Sequence, residues 1–159
     1  MNKILADMHT HTIASGHAYA TLTEMCKEAA NKGLEIYGIT EHSSGIPGTC
    51  ADIYFQNLRV IPRDLFGLDL RLGAEINIID YNGTLDLGQE YIDRLDFVIA
   101  GIHSVCYKFG SKEENTAAII NAIKNPNVNI ISHPDDGRCP LDYEALVQAA
   151  KEYLSLIHI

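Results

Sequence analysis

The sequence predicts an α/β fold in which parallel strands alternate with helices around a barrel-like sheet. Apolar segments of strand length are each followed by a segment with helical capping signals or helical periodicity. Polar residues of metal-ligand type recur along the chain, at His9, His42, Glu75, His103 and His133, with steps of 33, 33, 28 and 30 residues. One strand with its crossover helix takes about 30 residues. We therefore expect each of these residues at the same end of a successive parallel strand.

The first strand is predicted at residues 4–9, an apolar run that ends in a histidine. Thr21 and Glu24 have the spacing of a capping box, which opens the first helix, and Gly33 ends it. The apolar side chains between them fall on one helical face, as expected for a helix packed on a sheet.

Apolar segments in the middle of the chain predict two further strands, at residues 36–40 and 70–79. A loop rich in Gly, Ser and Pro follows the first of these at residues 43–52, and residues 54–68 form a mixed segment with a weaker pattern. Residues 87–95 predict a short helix, although Gly88 lowers its propensity.

The fourth and fifth strands are predicted at residues 97–102 and 129–132. A helix at residues 115–124 separates them, and Asp142 caps a last helix at residues 143–153. This order of strands and helices implies parallel strands with right-handed crossovers.

Length and composition indicate one globular domain. The chain has 159 residues, 47% of them hydrophobic and 21% charged. The net charge of -9 and the lack of clustered positive charge argue against a nucleic-acid partner. No apolar run approaches transmembrane length, and the four cysteines show no CxxC spacing and are expected as reduced thiols. We therefore expect a cytoplasmic protein without a membrane partner.

The last residues, 154–159, read LSLIHI. This string matches one reading frame of a common sequencing-library adapter, so we expect the natural coding sequence to stop near Tyr153. An ordinary apolar helix end is the alternative interpretation. His158 is accordingly left out of the predicted ligands.

Six histidines and one glutamate predict a site for several metal ions. Residues two apart on a strand share a face, so His9 and His11 can reach one ion together, and Asp7 lies on the same face. Imidazole suits zinc, manganese, iron or nickel, and a carboxylate can bridge two cations, a role expected of Glu75. A single strand-end histidine is more often a packed or exposed residue. Six histidines and a glutamate that recur with the spacing of a strand plus a helix are hard to obtain by chance. The predicted ligands are His9, His11, His17, His42, Glu75, His103 and His133.

Six short motifs occur in order: HTHT at 9–12, ASGHAY at 14–19, TEH at 40–42, GAE at 73–75, AGIH at 100–103 and ISHP at 131–134. With these motifs the chain resembles the PHP (polymerase and histidinol phosphatase) superfamily of metal-dependent phosphoesterases. It is most similar to the YcdX-like phosphatase branch, which the stretch from His9 to Tyr19 and the segment 57–63 also resemble.

The resemblance implies a distorted (β/α)7 barrel, of which this chain carries about the first five βα units, and a trinuclear metal site. It implies that His9 and His11 bind the first ion and that Glu75 bridges the first and second. By the same resemblance His103 and His133 complete the ligand set of the second ion, and His17 and His42 bind the third. Family members also carry an Asp-x-His motif on a late strand, and this sequence has none. The chain therefore resembles an N-terminal fragment, with residues 1–153 as a truncated phosphoesterase domain.

The implied activity is hydrolysis of a small phosphorylated substrate by a metal-bound hydroxide, with no catalytic side chain beyond the metal ligands. Zinc is the first expectation for up to three divalent ions, with manganese and iron as alternatives. The fragment itself is expected to be impaired, and the branch resemblance suggests a homo-oligomer. Competing interpretations are a catalytically silent PHP module that binds metal or a partner, a polymerase-associated exonuclease domain, and an amidohydrolase-type barrel.

Four further residues have a predicted role near the substrate. Arg59 and Arg63 can hold a phosphate by bidentate contact, with surface solvation as the alternative. Lys108 and Arg138 follow the His103 and His133 strand ends and can also face an anion.

Asp7 can orient a ligand histidine. An ordinary polar residue at a strand end is the alternative for this position.

Overall fold

The computed structural model describes residues 3–158, where six strands and five helices alternate. The strands are β1 (Ala6–Asp7), β2 (Ile36–His42), β3 (Asp69–Asn77), β4 (Val98–Gly101), β5 (Ile130–Ser132) and β6 (Leu156–His158). The helices are α1 (Leu22–Asn31), α2 (Ile53–Asn57), α3 (Gln89–Ile92), α4 (Lys112–Ile123) and α5 (Tyr143–Glu152). Met1 and Asn2 of the predicted 1–153 domain, and Ile159 of the 154–159 segment, lie outside the described residues.

All six strands form one sheet in the order β1-β2-β3-β4-β5-β6, and every neighbouring pair is parallel. The sheet curls into a half-barrel with helices between its strands. The predicted α/β class and partial barrel are thereby confirmed. Sequential order in a parallel sheet brings all strand ends of one kind to the same rim, which is where the ligand-type residues lie.

The first strand is shorter than predicted, and after Asp7 both backbone and side-chain hydrogen bonds of Thr10 connect the chain to β2. The Thr10 amide donates to Thr40 Oγ1 at 3.2 Å, and the Thr10 hydroxyl donates to the Gly38 carbonyl at 2.6 Å. The Thr40 amide donates to the Thr10 carbonyl at 2.8 Å. Thr10 therefore ties the chain between the first two histidines to β2.

Capping signals place two helices. The predicted box of Thr21 and Glu24 caps α1. A second box of Ser111 and Glu114 starts α4 three residues before the predicted residue 115. The Ser-x-x-Glu pattern of this cap is visible in the sequence and marks the earlier start.

The mixed segment 54–68 folds into α2 and two 3-10 turns, at Leu58–Val60 and Leu65–Gly67. The predicted helix 87–95 is reduced to the four residues of α3, with Gly88 as its N-cap.

The two faces of β3 have different environments. Leu70, Leu72, Ala74 and Ile76 are fully buried in the main core, which includes Ala118 of α4. Glu75 points to the opposite face, since successive strand residues alternate.

A small apolar cluster of Ile99, Ile130, Phe97 and Met8 lies on the same face of the sheet as Glu75, because Glu75 is in register with Ile99 and Ile99 with Ile130. This cluster forms an apolar floor beside the glutamate.

The sixth strand was not predicted, because it lies in the segment ascribed to an adapter. Leu156, Ile157 and His158 pair with Ile130, Ile131 and Ser132 of β5. The adapter origin of residues 154–159 stays a prediction. In the described part of the chain, no helix combines the length and the apolar character that crossing a membrane requires.

Gly38 permits the close approach of β2 to the chain before His9. A Cβ at this position would lie 2.8 Å from the Met8 Cα and 2.8 Å from its carbonyl oxygen, so the backbone has to move. We expect Gly38→Ala to lower the free energy of unfolding by about 1–3 kcal/mol, as overpacking does in a dense core. Urea denaturation followed by circular dichroism measures this loss.

Gly137→Ala is the matched control, because an added Cβ there meets nothing within 4 Å. It should change the free energy of unfolding by less than about 0.5 kcal/mol. Equal losses for the two variants would contradict the close approach at Gly38.

Candidate metal centre

Five of the predicted histidines and Glu75 converge at the carboxyl ends of the strands. His9 and His11 follow β1, and His42 is the last residue of β2. His103 and His133 follow β4 and β5. Each side chain reaches the rim because its strand ends there, so the convergence is a direct result of the parallel topology.

Glu75 is the centre of this arrangement and is only 1% exposed. Its two carboxylate oxygens face different halves of the sheet. Oε2 lies 3.0 Å from His9 Nε2, 3.1 Å from His11 Nε2 and 3.3 Å from His42 Nδ1. Oε1 lies 2.9 Å from His133 Nε2 and 3.4 Å from His103 Nε2. The histidines near Oε2 thus come from the strands before β3, and the histidines near Oε1 come from the strands after it.

Strand register explains this division. His42 of β2 is directly opposite Glu75 of β3, and register partners in a parallel pair share a face. Because β3 lies inside the sheet, with two strands before it and three after it, its glutamate can be reached from both sides.

The carboxylate is strongly stabilised as an anion. Burial alone would raise the pKa of Glu75, but contacts with His103, His11, His133 and His9 outweigh burial and hold this pKa far below its usual range. The site therefore has a fixed negative charge at its centre.

Two of the surrounding histidines differ in basicity. Burial lowers the pKa of His42 to about 3, although Glu75 opposes the shift. The contact with Glu75 raises the pKa of His133 above its usual range, against the effect of burial. His42 is therefore a neutral ligand-type imidazole near pH 7, whereas His133 retains a proton more readily.

His17 lies at the edge of the cluster. It follows the 3-10 turn Ile13–Ser15, and Gly16 takes a left-handed φ of 77° next to the Gly48 backbone. The His17 ring centroid is 5.1 Å from that of His11 and 4.9 Å from that of His42. The structure therefore brings the loop histidine to the same cluster as the strand-end histidines.

The donor set fits divalent metal ions. Three groups have ligand atoms within 4.8 Å of one another: His9 with His11 and Glu75, His42 with Glu75 and His103, and His11 with His17 and His42. His103 Nδ1 is buried without a hydrogen-bond partner in the described structure, and His42 Nδ1 and His103 Nε2 have only long approaches to Glu75, at 3.3 and 3.4 Å, that do not have hydrogen-bond geometry. Buried polar nitrogens left in this way are costly unless another ligand satisfies them. Imidazole nitrogens around a shared carboxylate are suited to zinc and similar cations.

His133 has an unusual backbone conformation, with φ of 29° immediately before Pro134. Left-handed backbone at a non-glycine residue costs about 1–3 kcal/mol and persists where the surroundings enforce it. The His133 amide donates to the His158 carbonyl at 2.6 Å, which helps to hold this conformation.

A cleft of about 410 Å³ opens over the cluster. Four of its lining residues are His17, His42, His103 and His133. Its lining also includes Asp136 and Arg138, and the Arg138 guanidinium donates to the Asp136 carboxylate, with Nη2 2.7 Å from Oδ2. The predicted position of Arg138 near the cluster agrees with this lining.

The structure does not bring Arg63 to the cluster. The Leu70 amide donates to the Arg63 carbonyl at the start of β3, and the Arg63 guanidinium binds Asp96, which precedes β4, with Nε 2.9 Å from Oδ2. These contacts lie at the amino ends of the strands, the rim opposite the histidines. A substrate role for Arg63 has no support in this placement, since its contacts connect the segments that precede β3 and β4.

Arg59, Lys108 and Asp7 are not among the residues that line the cleft at the histidines. Arg59 lines a separate groove of about 490 Å³ along α2, and Lys108 lines a small cavity with Tyr81. Asp7 Oδ1 accepts a hydrogen bond from the His9 amide at 3.3 Å, so it contacts the backbone of a candidate ligand.

Two buried polar networks beside the cluster were missed in the sequence. Glu41 accepts hydrogen bonds from Thr12 and Ser15. Asp86 accepts hydrogen bonds from Ser43 Oγ at 2.5 Å and from Asn77 Nδ2 at 2.6 Å. For Glu41 the available signal is a charged residue at the end of a strand that reads as buried, because such a residue needs hydrogen-bond partners. Asp86 lies outside the strands and has no comparable signal.

His158 of β6 also reaches the cluster, with Nδ1 2.9 Å from Nδ1 of His9. None of the three candidate metal groups found within residues 3–158 includes it.

Comparisons with known proteins agree with the family resemblance and the fold. The family model for the PHP domain matches residues 7–158. A relative from Acetivibrio thermocellus with the name "Probable phosphatase" is 51% identical over 94% of this chain and 62% of its own length. A second with the same name, from Caldicellulosiruptor saccharolyticus, is 50% identical over 96% of this chain and 64% of its own length.

Among solved structures, the fold is similar to that of a histidinol phosphate phosphatase from Lactococcus lactis, with a TM-score of 0.60 and 18% identity. The match covers 97% of this chain and 72% of that one. That enzyme was crystallised with zinc, L-histidinol and phosphate.

The difference between His133 and His42 predicts how many protons zinc displaces. A metal ligand has to be neutral, so a histidine that holds a proton releases it when zinc binds. The pKa of His133 is raised, so part of its population is protonated near pH 7 and contributes to this release. We expect His133→Gln to lower the number of protons released per zinc ion, measured by calorimetry in buffers of different ionisation enthalpy.

His42→Gln is the control, because a pKa of about 3 leaves His42 neutral near pH 7. This variant should weaken binding without changing proton release. The same decrease in both variants would show that the two histidines do not differ as described.

Proposed function

The chain belongs to the PHP domain family, and we propose on this basis that the protein is a metal-dependent phosphomonoesterase acting on a small phosphorylated substrate. One observation carries the proposal: a buried glutamate whose two oxygens are flanked by imidazoles from both halves of a parallel sheet. The chain spans 62% and 64% of the length of two relatives named as phosphatases, so the activity proposed is that of the whole protein.

The proposed ligands follow the two sides of Glu75. His9 and His11 lie on the Oε2 side, and His103 and His133 lie on the Oε1 side, which supports a role for the carboxylate in holding two ions. The remaining two residues, His17 and His42, form a group with His11 that supports a third ion. Zinc is the proposed metal, because nitrogen ligands dominate the set.

Divalent ions, when bound, would lower the pKa of a water molecule at the rim and stabilise negative charge on the phosphoryl oxygens. The chain's own residues hold and orient this centre. Glu75 contributes a fixed anion, and the neutral imidazole of His42 offers a lone pair without first losing a proton. The cleft of about 410 Å³ above the histidines is large enough for a small phosphate ester.

Arg138 is the guanidinium that lines this cleft, and it is oriented by paired contacts with Asp136. We propose that it lies near the substrate. Arg63 is not part of the proposal, since it is held at the opposite rim.

A hydrolysis assay tests the function. Residues 1–153 are joined to the remaining C-terminal part of the Acetivibrio thermocellus relative, and this chimera and the 159-residue chain are assayed with zinc, manganese or iron. We expect the chimera to hydrolyse p-nitrophenyl phosphate and small phosphate monoesters, and the 159-residue chain to do so more slowly. His103→Ala and His133→Ala should each reduce the chimera's activity to background, because each removes a proposed ligand of the bridged pair.

Lys108→Ala is the matched control, since Lys108 lies close in sequence to His103 but lines a different cavity. It should retain activity. A chimera that binds metal stoichiometrically and hydrolyses none of the esters would reject the phosphatase proposal in favour of a silent metal-binding module. Full activity in both histidine variants would reject the site.

A further inference from the structure

Glu41 is a buried charged residue that the proposed metal ligands leave unexplained. It is fully buried in β2, and it precedes His42, so its side chain leaves the strand on the opposite face from that histidine. A buried carboxylate requires compensation from hydrogen-bond donors or from a cation. Among the described residues, its hydrogen-bond donors come from the segment just after His11.

The three donors to Glu41 come from Thr12 and Ser15. Thr12 Oγ1 donates to Oε1 at 2.6 Å, and the Thr12 amide donates to Oε2 at 3.1 Å. Ser15 Oγ donates to Oε2 at 2.5 Å, the shortest of these contacts. The hydroxyl proton of Ser15 is therefore directed at the carboxylate.

The remaining hydrogen-bonding capacity of Ser15 faces two histidines. A hydroxyl has one proton to donate and two lone pairs that accept. One lone pair accepts from the His42 amide, with N 3.1 Å from Oγ. The other faces His11 Nδ1, which lies 3.1 Å from Oγ. Because the only proton of the hydroxyl goes to Glu41, His11 Nδ1 has to be the donor in this contact.

We propose that Glu41 and Ser15 are positioning residues that keep the proton of His11 on Nδ1 and so make Nε2 its metal-binding nitrogen. Nε2 is the nitrogen that faces the centre, 3.1 Å from Glu75 Oε2 and 3.3 Å from His9 Nε2. A hydrogen bond from the far nitrogen fixes both the tautomer and the ring orientation of a metal-binding histidine. The inference rests on the proposed metal centre.

The same hydroxyl links two candidate ligands. Its contact with the His42 amide holds the end of β2, while its contact with the His11 ring holds the loop after β1. Ser15 is 1% exposed, so water does not substitute for its hydroxyl without a local rearrangement.

Nuclear magnetic resonance on the zinc-loaded 159-residue chain tests the inference. Long-range proton–nitrogen correlations of ¹⁵N-labelled histidine identify which ring nitrogen has the proton and which binds zinc, and His11→Gln assigns the signal. In the unsubstituted chain we expect a protonated Nδ1 with slow solvent exchange and a zinc-bound Nε2. In Ser15→Ala the Nδ1 proton should exchange faster, and the zinc Kd should rise about 10- to 100-fold.

Thr116→Val is the matched control. Thr116 Oγ1 is buried in α4, donates to the Lys112 carbonyl at 2.6 Å and accepts from the Asp142 amide at 2.9 Å, with no histidine in contact. This variant should lose stability comparable to that lost by Ser15→Ala and should keep the zinc Kd and the His11 signal unchanged.

The outcomes separate the inference from the proposed function. A zinc-binding chain in which His11 binds through Nδ1 overturns the inference and leaves the metal centre intact. Equal weakening of zinc binding by the Ser15 and Thr116 variants also overturns it. Failure of the unsubstituted chain to bind zinc overturns the inference, whereas the proposed function is decided by the hydrolysis assay on the chimera. If Ser15→Ala does not fold, the nitrogen assignment in the unsubstituted chain still decides the question.

Discussion

The buried carboxylate of Glu75 is the constraint on which the rest of the site depends. An ionised group with 1% exposure is strongly unfavourable unless its surroundings compensate it. Here the compensation comes from imidazole nitrogens delivered by four other strands, and no single loop could supply them all. The parallel sheet, its curl and the placement of β3 in the interior are the means by which five histidines reach one side chain.

Much of this arrangement was predictable because two regular periods coincide. Strand alternation places residues on one face, and the recurrence of strand and helix places His42, Glu75, His103 and His133 at one rim. The start of α4 is also readable from the sequence, because Ser111 and Glu114 have the spacing of a capping box.

Other features depend on contacts that no periodic pattern encodes. The position of Arg63 is decided by Asp96, a partner 33 residues away that sits at the far rim. The assignment of one His11 nitrogen depends on a hydroxyl proton shared among three groups in the fold. The pKa values of His42 and His133 shift in opposite directions. Burial dominates at His42 and lowers its pKa, whereas the contact with Glu75 dominates at His133 and raises its pKa.

The interior position of β3 also sets where this fold can tolerate a change in chain length. A single residue inserted in β3 before Glu75 would turn Glu75 toward the apolar core and Ile76 toward the histidines, since strand faces alternate. Insertions at the corner of Arg63 and Asp96, on the far rim, leave that alternation untouched. Loops on the far rim can therefore vary in length without disturbing the histidine rim. The number of residues in β3 before Glu75 has to stay the same.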